Sequence, residues 1–131
     1  MNIAIDIDDT LTESFDYFLP YVAEYFDVDE ETLRKQNISY SNLPKEWKKD
    51  EIGFCRAYYD RIVPGTPFKQ DAAWGVKRLR ELGHRIVIIT ARTDALYTDP
   101  YQTTEQELAN GGICYDKPVS YTHLTLPTNS R

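Results

Sequence analysis

Arg85-Ile86-Val87-Ile88-Ile89-Thr90 is a continuous, largely β-branched run, and it restricts the fold more than any other stretch of the chain. Such a run marks a strand buried on both faces of a parallel sheet, with helices covering each side. The residues on its N-terminal side fit a crossover. A helix is predicted from about Phe68 to Leu82, with Ala72, Val76, Leu79 and Leu82 on its buried face and Gly83 in the position that ends many helices. The residues on its C-terminal side fit a second crossover. Asp99-Pro100 reads as an N-cap with Pro at the first helical position, and Gly111-Gly112 stop that helix before Ile113-Cys114-Tyr115, the onset of a further strand. The series predicts an α/β chain with a parallel sheet and right-handed crossovers.

The first strand of the series is expected over residues 2–7, where an apolar run breaks into Asp6-Ile7-Asp8-Asp9-Thr10, a D-x-D-x-T cluster. In a strand, Asp6 and Asp8 lie on one side with Cα atoms roughly 6 to 7 Å apart. Two close carboxylates raise each other's pKa unless a cation sits between them. The spacing therefore points to a phosphoryl-transfer site with a hard divalent ion, for which Mg²⁺ is best suited. The plain alternative is a strand end with Asp8 or Thr12 capping the next helix. Three acids rarely come after a buried strand without a charge partner, which argues against it. An EF-hand loop also begins D-x-D, but its sixth position would be Leu11 rather than Gly and its twelfth Tyr17 rather than Glu.

Residues 13–63 separate these two parts with helical pattern throughout, and read as an insertion. Phe15, Phe18, Leu19, Val22, Tyr25 and Phe26 recur at helical spacing, with Pro20 kinking that helix or marking its first turn. Asp29-Glu30-Glu31 open a short helix through about Gln36, and Asn37 to Pro44 form a polar loop. A third helix is predicted from about Lys45 to Val63, with Ile52, Cys55, Tyr59 and Ile62 on one face, ended by Val63-Pro64-Gly65.

The last 14 residues, Pro118 to Arg131, carry no acid and interleave Thr with Leu, Pro and Asn. They resemble a read-through peptide from vector or adapter sequence found at the ends of truncated reading frames, and are set apart as a non-native tail. A natural disordered tail is the alternative. The 131 residues suffice for one domain with a real core. A net charge of -6 and a pI near 4.9 argue against nonspecific binding to nucleic acid or anionic membranes, so an anionic substrate needs a local device such as a metal. No apolar run reaches a membrane span and no signal-peptide pattern is seen, so the expected location is cytoplasmic. Cys55 and Cys114 lack metal-ligand spacing and fit reduced, buried thiols.

The N-terminal D-x-D-x-T and the strand end Ile89-Thr90-Ala91-Arg92, in that order and separated by a helical block, resemble the first and second motifs of the haloacid dehalogenase superfamily of phosphohydrolases. The second motif is similar to that of nucleotidase-like members related to the 5′(3′)-deoxyribonucleotidases. The resemblance covers residues 1 to about 117. It implies a Rossmann-like core over residues 1–12 and 64–117, with a small cap over 13–63. It further implies Asp6 as the nucleophile forming an aspartyl-phosphate and Asp8 as general acid and base, its backbone carbonyl helping Asp6 to hold Mg²⁺. Thr10 would orient the motif loop, and Thr90, Ala91 and Arg92 would bind the phosphate or another polar part of the substrate. Asp9 stands where many relatives carry Gly. Trp47, Tyr58 and Tyr59 are candidates for stacking a nucleobase, although aromatics at helical spacing more often form cap core.

One part of the family pattern is missing. No Asp or Glu occurs after Asp116, so the third acidic ligand of Mg²⁺ is absent, and Lys117 lies upstream of where the third-motif lysine belongs. The expectation is an incomplete sheet with the first strand at its edge, in a truncated chain that turns over phosphate esters negligibly. The expected function is Mg²⁺-dependent phosphomonoester hydrolysis on a small phosphate ester, a nucleotide in the first instance. The alternatives are a noncatalytic phosphate- or nucleotide-binding module, or a fragment that does not fold alone.

Overall fold

The computed structural model describes residues 1–122. β1 (Asn2–Asp6) leads into the insertion, whose helices are α1 (Ser14–Tyr25), α2 (Glu30–Lys35), α3 (Lys45–Lys48) and α4 (Glu51–Ile62). The chain then resumes with α5 (Ala72–Glu81), β2 (Arg85–Thr90), α6 (Pro100–Asn110) and β3 (Ser120–Tyr121). The strands form one parallel sheet in the order β1-β2-β3, with Ile3 opposite Ile86 and Ile5 opposite Ile88. Among the described residues β1 has no neighbour on its outer side, as expected of an edge.

The local signals explain most boundaries. α5 stops because Gly83 takes φ +95, a conformation open to glycine, and its N–H closes on Arg80 O at 2.9 Å. Asp99 Oδ1 accepts from Gln102 N at 3.0 Å, capping α6 just ahead of Pro100. α1 runs through Pro20, which neither starts nor ends it.

Several expectations are corrected. β2 is not covered on both faces: Ile86 and Ile88 are fully buried, while Val87 and Ile89 stay half-buried and Ala4 beside them is exposed. Val76 of α5 and Leu108 of α6 share one core with Ile86 and Ile88, so both crossover helices serve the same sheet face. The predicted third helix is two helices, broken at Lys49–Asp50, and Ile52 projects from the first turn of α4 into solvent. Helix α5 begins at Ala72 rather than Phe68, and Leu82 lies beyond its last turn, exposed. Ile113–Tyr115 is not a strand. In its place Asp116 bonds Ile86 twice, its N–H donating to Ile86 O at 2.9 Å and its Oδ2 accepting from Ile86 N at 2.7 Å. The third strand comes later, at Ser120–Tyr121, inside the segment expected to lie outside the fold; residues 123–131 of that segment lie outside the described residues. Cys55 is buried as expected, but Cys114 is exposed.

The insertion has its own core, in which Phe18, Val22, Phe54, Cys55, Tyr58, Tyr59 and Ile62 pack together with Tyr97 from the loop after β2. Its two ends meet. Thr12 and Phe68 form an antiparallel bridge, Glu13 N donates to Pro67 O and Lys69 N to Leu11 O, each at 2.8 Å. That double crossing fixes the cap over the carboxyl ends of β1 and β2.

Candidate active site

Parallel β1 and β2 end side by side, and the loops beyond them form the rim where α/β sheets bind ligands. Asp6, Asp8, Ala91 and Arg92 come together there. With Tyr59 from the cap and Leu96 and Tyr97 from the loop after β2, they line a cleft of about 250 Å³.

The loop after β1 is held by Thr12, which is fully buried. Its Oγ1 accepts from Asp9 N at 3.1 Å and lies 3.3 Å from Ile7 O and 3.2 Å from Ser14 Oγ. Thr10 N and Leu11 N both close on Ile7 O, at 3.1 and 3.0 Å, so the chain turns sharply after the strand. The turn requires Asp9 at φ +58, which a short polar side chain tolerates better than most.

Arg92 organises the site. Its side chain is only 3% exposed, with Nη2 2.9 Å from Asp8 Oδ1, Nε 3.4 Å from Asp8 Oδ2 and Nη1 2.7 Å from Glu107 Oε1. Nη1 also donates to Thr104 Oγ1 at 3.1 Å, and the guanidinium lies 5.6 Å from the Tyr97 ring centre. Burial alone would lower the pKa of this guanidinium, but the Asp8 charge, joined by Glu107, raises it. Glu107 is fully buried, and burial raises its carboxyl above the usual range against the lowering pull of Arg92.

Asp6 is different. Among the described residues it has no ion-pair partner. Desolvation raises its pKa, the Ile7 backbone N–H and the Arg92 charge pull it down, and the Asp8 charge pushes it further up. Two carboxylates, Asp6 and Asp8, line the cleft against one guanidinium that Glu107 already shares, which leaves the cleft with an excess of negative charge. Such a cleft draws a cation more readily than a bare phosphate.

Two residues expected at the site are not in the cleft. Thr90 is buried, one step beyond Ile89, the partner of Asp6, so by strand alternation it shares the covered face with Ile88. Its Oγ1 accepts from Arg92 N at 3.4 Å, which shapes the turn rather than the cleft wall. Thr10 is exposed and does not line the cleft, and Thr12 performs the anchoring expected of it. Of the aromatic candidates, Trp47 stacks on Phe26 at 4.5 Å and Tyr58 stacks on Phe54 at 5.1 Å, both in cap core. Tyr59 does reach the cleft, its hydroxyl 2.6 Å from that of Tyr40.

Glu107 and Tyr97 were not anticipated from the sequence. A signal for Glu107 existed: Pro100, Thr104, Glu107 and Leu108 form the buried stripe of α6, and an acid on such a stripe calls for a buried cation. Tyr97 lies in an irregular loop with no periodicity to read.

The resemblance would have Mg²⁺ held by the Asp6 carboxylate and the Asp8 backbone carbonyl. Among the described residues no group of three or more His, Cys, Asp or Glu side chains is placed to hold a metal. Mg²⁺ keeps several waters and is often held by one or two carboxylates plus substrate phosphate, so a site of this kind asks little more of the chain than the unpaired Asp6 carboxylate. Among the described residues no helix is long and apolar enough to cross a membrane. No protein-family model matches the chain, and neither a curated protein nor a solved structure gives a significant match.

Proposed function

We propose that the cleft is a phosphoryl-transfer site and that the chain carries the reaction centre of a phosphomonoester hydrolase of the haloacid dehalogenase type. The observation that carries this reading is the pairing of a free, partly desolvated carboxylate, Asp6, with a second carboxylate, Asp8, at the end of one strand and inside one cleft. Asp6 Oδ attacks phosphorus as the ester oxygen leaves, giving an aspartyl-phosphate that water then cleaves. Asp8, turned by Arg92, is positioned to give a proton to the leaving oxygen and later take one from water. Mg²⁺ held by Asp6 and the Asp8 carbonyl would offset the charge of the phosphate. Arg92 acts from within the wall, holding Asp8, while Ala91 lines the space the phosphate enters. Thr90 keeps the Arg92 turn in shape. Tyr59 and Tyr97 close the cleft with apolar surface, which suits a small phosphate ester such as a nucleotide.

One observation favours a second reading. Arg92 engages both oxygens of Asp8 and must yield before Asp8 can serve as an acid, an arrangement that suits a noncatalytic phosphate- or nucleotide-binding module.

Beryllofluoride trapping separates the two. With Mg²⁺, the enzyme reading expects a ¹⁹F resonance of beryllofluoride bound to Asp6, lost in Asp6→Asn. Nucleotide binding that is indifferent to Mg²⁺ and to Asp6→Asn, with no such resonance, would establish the binding module instead.

A further inference from the structure

Glu107 stands behind the reaction centre rather than in it. It is fully buried and is not among the residues that line the cleft, and a carboxylate so far from water is costly to keep. It is also firmly placed. Helix α6 carries it, capped at its start by Asp99; near its end Asn110 Nδ2 donates to Pro64 O at 2.9 Å, and the ring of Phe68 lies against Gly111. Among the described residues its one ion-pair partner is Arg92.

We propose that Glu107 is a positioning residue that withholds the Arg92 guanidinium from the substrate phosphate, a role that rests on the cleft being a phosphoryl-transfer site. Arg92 is thereby kept as a support for Asp8, and the phosphate is left to Asp6. An arginine grips a phosphate through two parallel N–H groups, and its fork has two edges that can supply them. Asp8 takes one edge, with Nε 3.4 Å from Oδ2 and Nη2 2.9 Å from Oδ1. The other edge needs Nη1, which is 2.7 Å from Glu107 Oε1 and 3.1 Å from Thr104 Oγ1. Neither edge is left for a phosphate.

The two carboxylates do not hold Arg92 equally. The Asp8 side chain is 43% exposed, so water screens its pair, whereas Glu107 is at 1%, where the same attraction is several times stronger. A phosphate in the cleft can compete with Asp8 for the guanidinium but not with Glu107. When Asp8 turns to the leaving oxygen, Arg92 therefore stays in the wall. The consequence falls on the product. An arginine free to fork the phosphate would hold inorganic phosphate as firmly as the ester, and a grip shared by both ground states adds nothing to the chemical step.

Binding of inorganic phosphate in the presence of a chelator, followed by ³¹P NMR at fixed ionic strength, tests the proposal. Glu107→Gln keeps the size of the side chain and removes its charge, and should bind phosphate at least about tenfold more tightly than the unaltered chain. The gain should vanish in the Arg92→Met/Glu107→Gln double variant. In Glu107→Gln the ¹H–¹⁵N signal of Arg92 Nε should move as phosphate saturates, and circular dichroism checks that the fold is kept. A Glu107 that serves stability alone would lower the unfolding midpoint and leave phosphate affinity unchanged. That result overturns the proposal, as does a gain that survives the loss of Arg92 or leaves its signal in place. The unaltered chain gives a measurement independent of the variant's stability: its Arg92 Nε signal should stay fixed through the same titration, and a saturable shift there also overturns the proposal. Beryllofluoride on Asp6 reports separately. Its ¹⁹F resonance without a phosphate gain in Glu107→Gln leaves the phosphoryl-transfer reading standing and overturns the role of Glu107. Its absence alongside that gain removes Asp6 as nucleophile and keeps Glu107 as the residue restraining Arg92.

Discussion

Replacing Arg92 by Met removes the one cation paired, among the described residues, with the fully buried Glu107 carboxylate, and its cost can be worked from the structure. Glu107 is left unpaired at 1% side-chain exposure, and breaking a buried pair from one side costs about 3–5 kcal/mol. Asp8 loses its partner too, but at 43% exposure it regains water and adds less than about 1 kcal/mol. Met replaces most of the apolar stem, so lost packing is a minor part. A domain of this size has about 5–15 kcal/mol in total, so the variant loses about a fifth of it or more. With a urea slope of about 2 kcal/mol/M, the unfolding midpoint should fall by about 2 M. Adding Glu107→Gln to Arg92→Met removes the stranded charge and should recover at least about 2 kcal/mol. The deficit should also depend on pH. Burial raises the folded-state pKa of Glu107, so its contribution is fully present below the unfolded value near 4.5 and is lost as pH rises through the raised one. Arg92→Met deepens that rise, and its deficit should therefore shrink as the pH is lowered towards 4.5. Paired urea titrations at neutral and acid pH, read by circular dichroism, check both expectations. A loss below about 1 kcal/mol for Arg92→Met, or no recovery on adding Glu107→Gln, would refute the reading of Arg92 and Glu107 as a buried pair.

Thr12→Val removes the hydroxyl that bonds Asp9 N inside the motif loop, and should cost about 1–3 kcal/mol in thermal unfolding while Thr10→Val, at an exposed position, costs under about 0.5 kcal/mol. Asp9→Val should destabilise by about 1–2 kcal/mol because a branched side chain resists φ +58, whereas Asp9→Gly should be neutral or stabilising by chemical denaturation. Gly111→Ala drives a Cβ into the ring of Phe68 and should lower stability by about 1–3 kcal/mol in the same assay. The Arg80 side chain and the Ile86 N–H hold Asp116 below the usual carboxylate range. Its contribution is thus present above the unfolded value and lost as pH falls through the folded one, and Asp116→Asn should flatten the acid limb of a stability profile.

How far the sequence could be read depended on whether a signal was local. Arg85–Thr90, the Gly83 stop and the Asp99-Pro100 cap are each set by residues within one turn of themselves, and all three stand where expected. The covering of β2 is not local. Its β-branched run signals a strand, but which face receives helices depends on the whole topology, and here α5 and α6 serve the same one. Asp6, Asp8, Ala91 and Arg92 could be placed together from the sequence because two strand ends must share a rim once their strands are parallel neighbours, and the four line one cleft. The inward turn of Thr90 comes from register: pairing Asp6 with Ile89 turns the next residue to the covered face, and no single sequence reveals a register. Glu107 lies on a helix rather than at a strand end, so the motif spacing does not point to it, although a lone acid in the buried stripe of α6 announces a hidden counter-ion.

The bridge between Thr12 and Phe68 makes the cap a detachable cartridge. Because departure and return pass within one pair of facing residues, a short turn of about two to four residues could close the gap without disturbing β1 or α5. Lengthening, shrinking or exchanging everything between those two points leaves the chemistry-bearing loops anchored from below. Such an exchange would replace the Tyr59 wall of the cleft while leaving Asp6, Asp8, Ala91 and Arg92 where they stand.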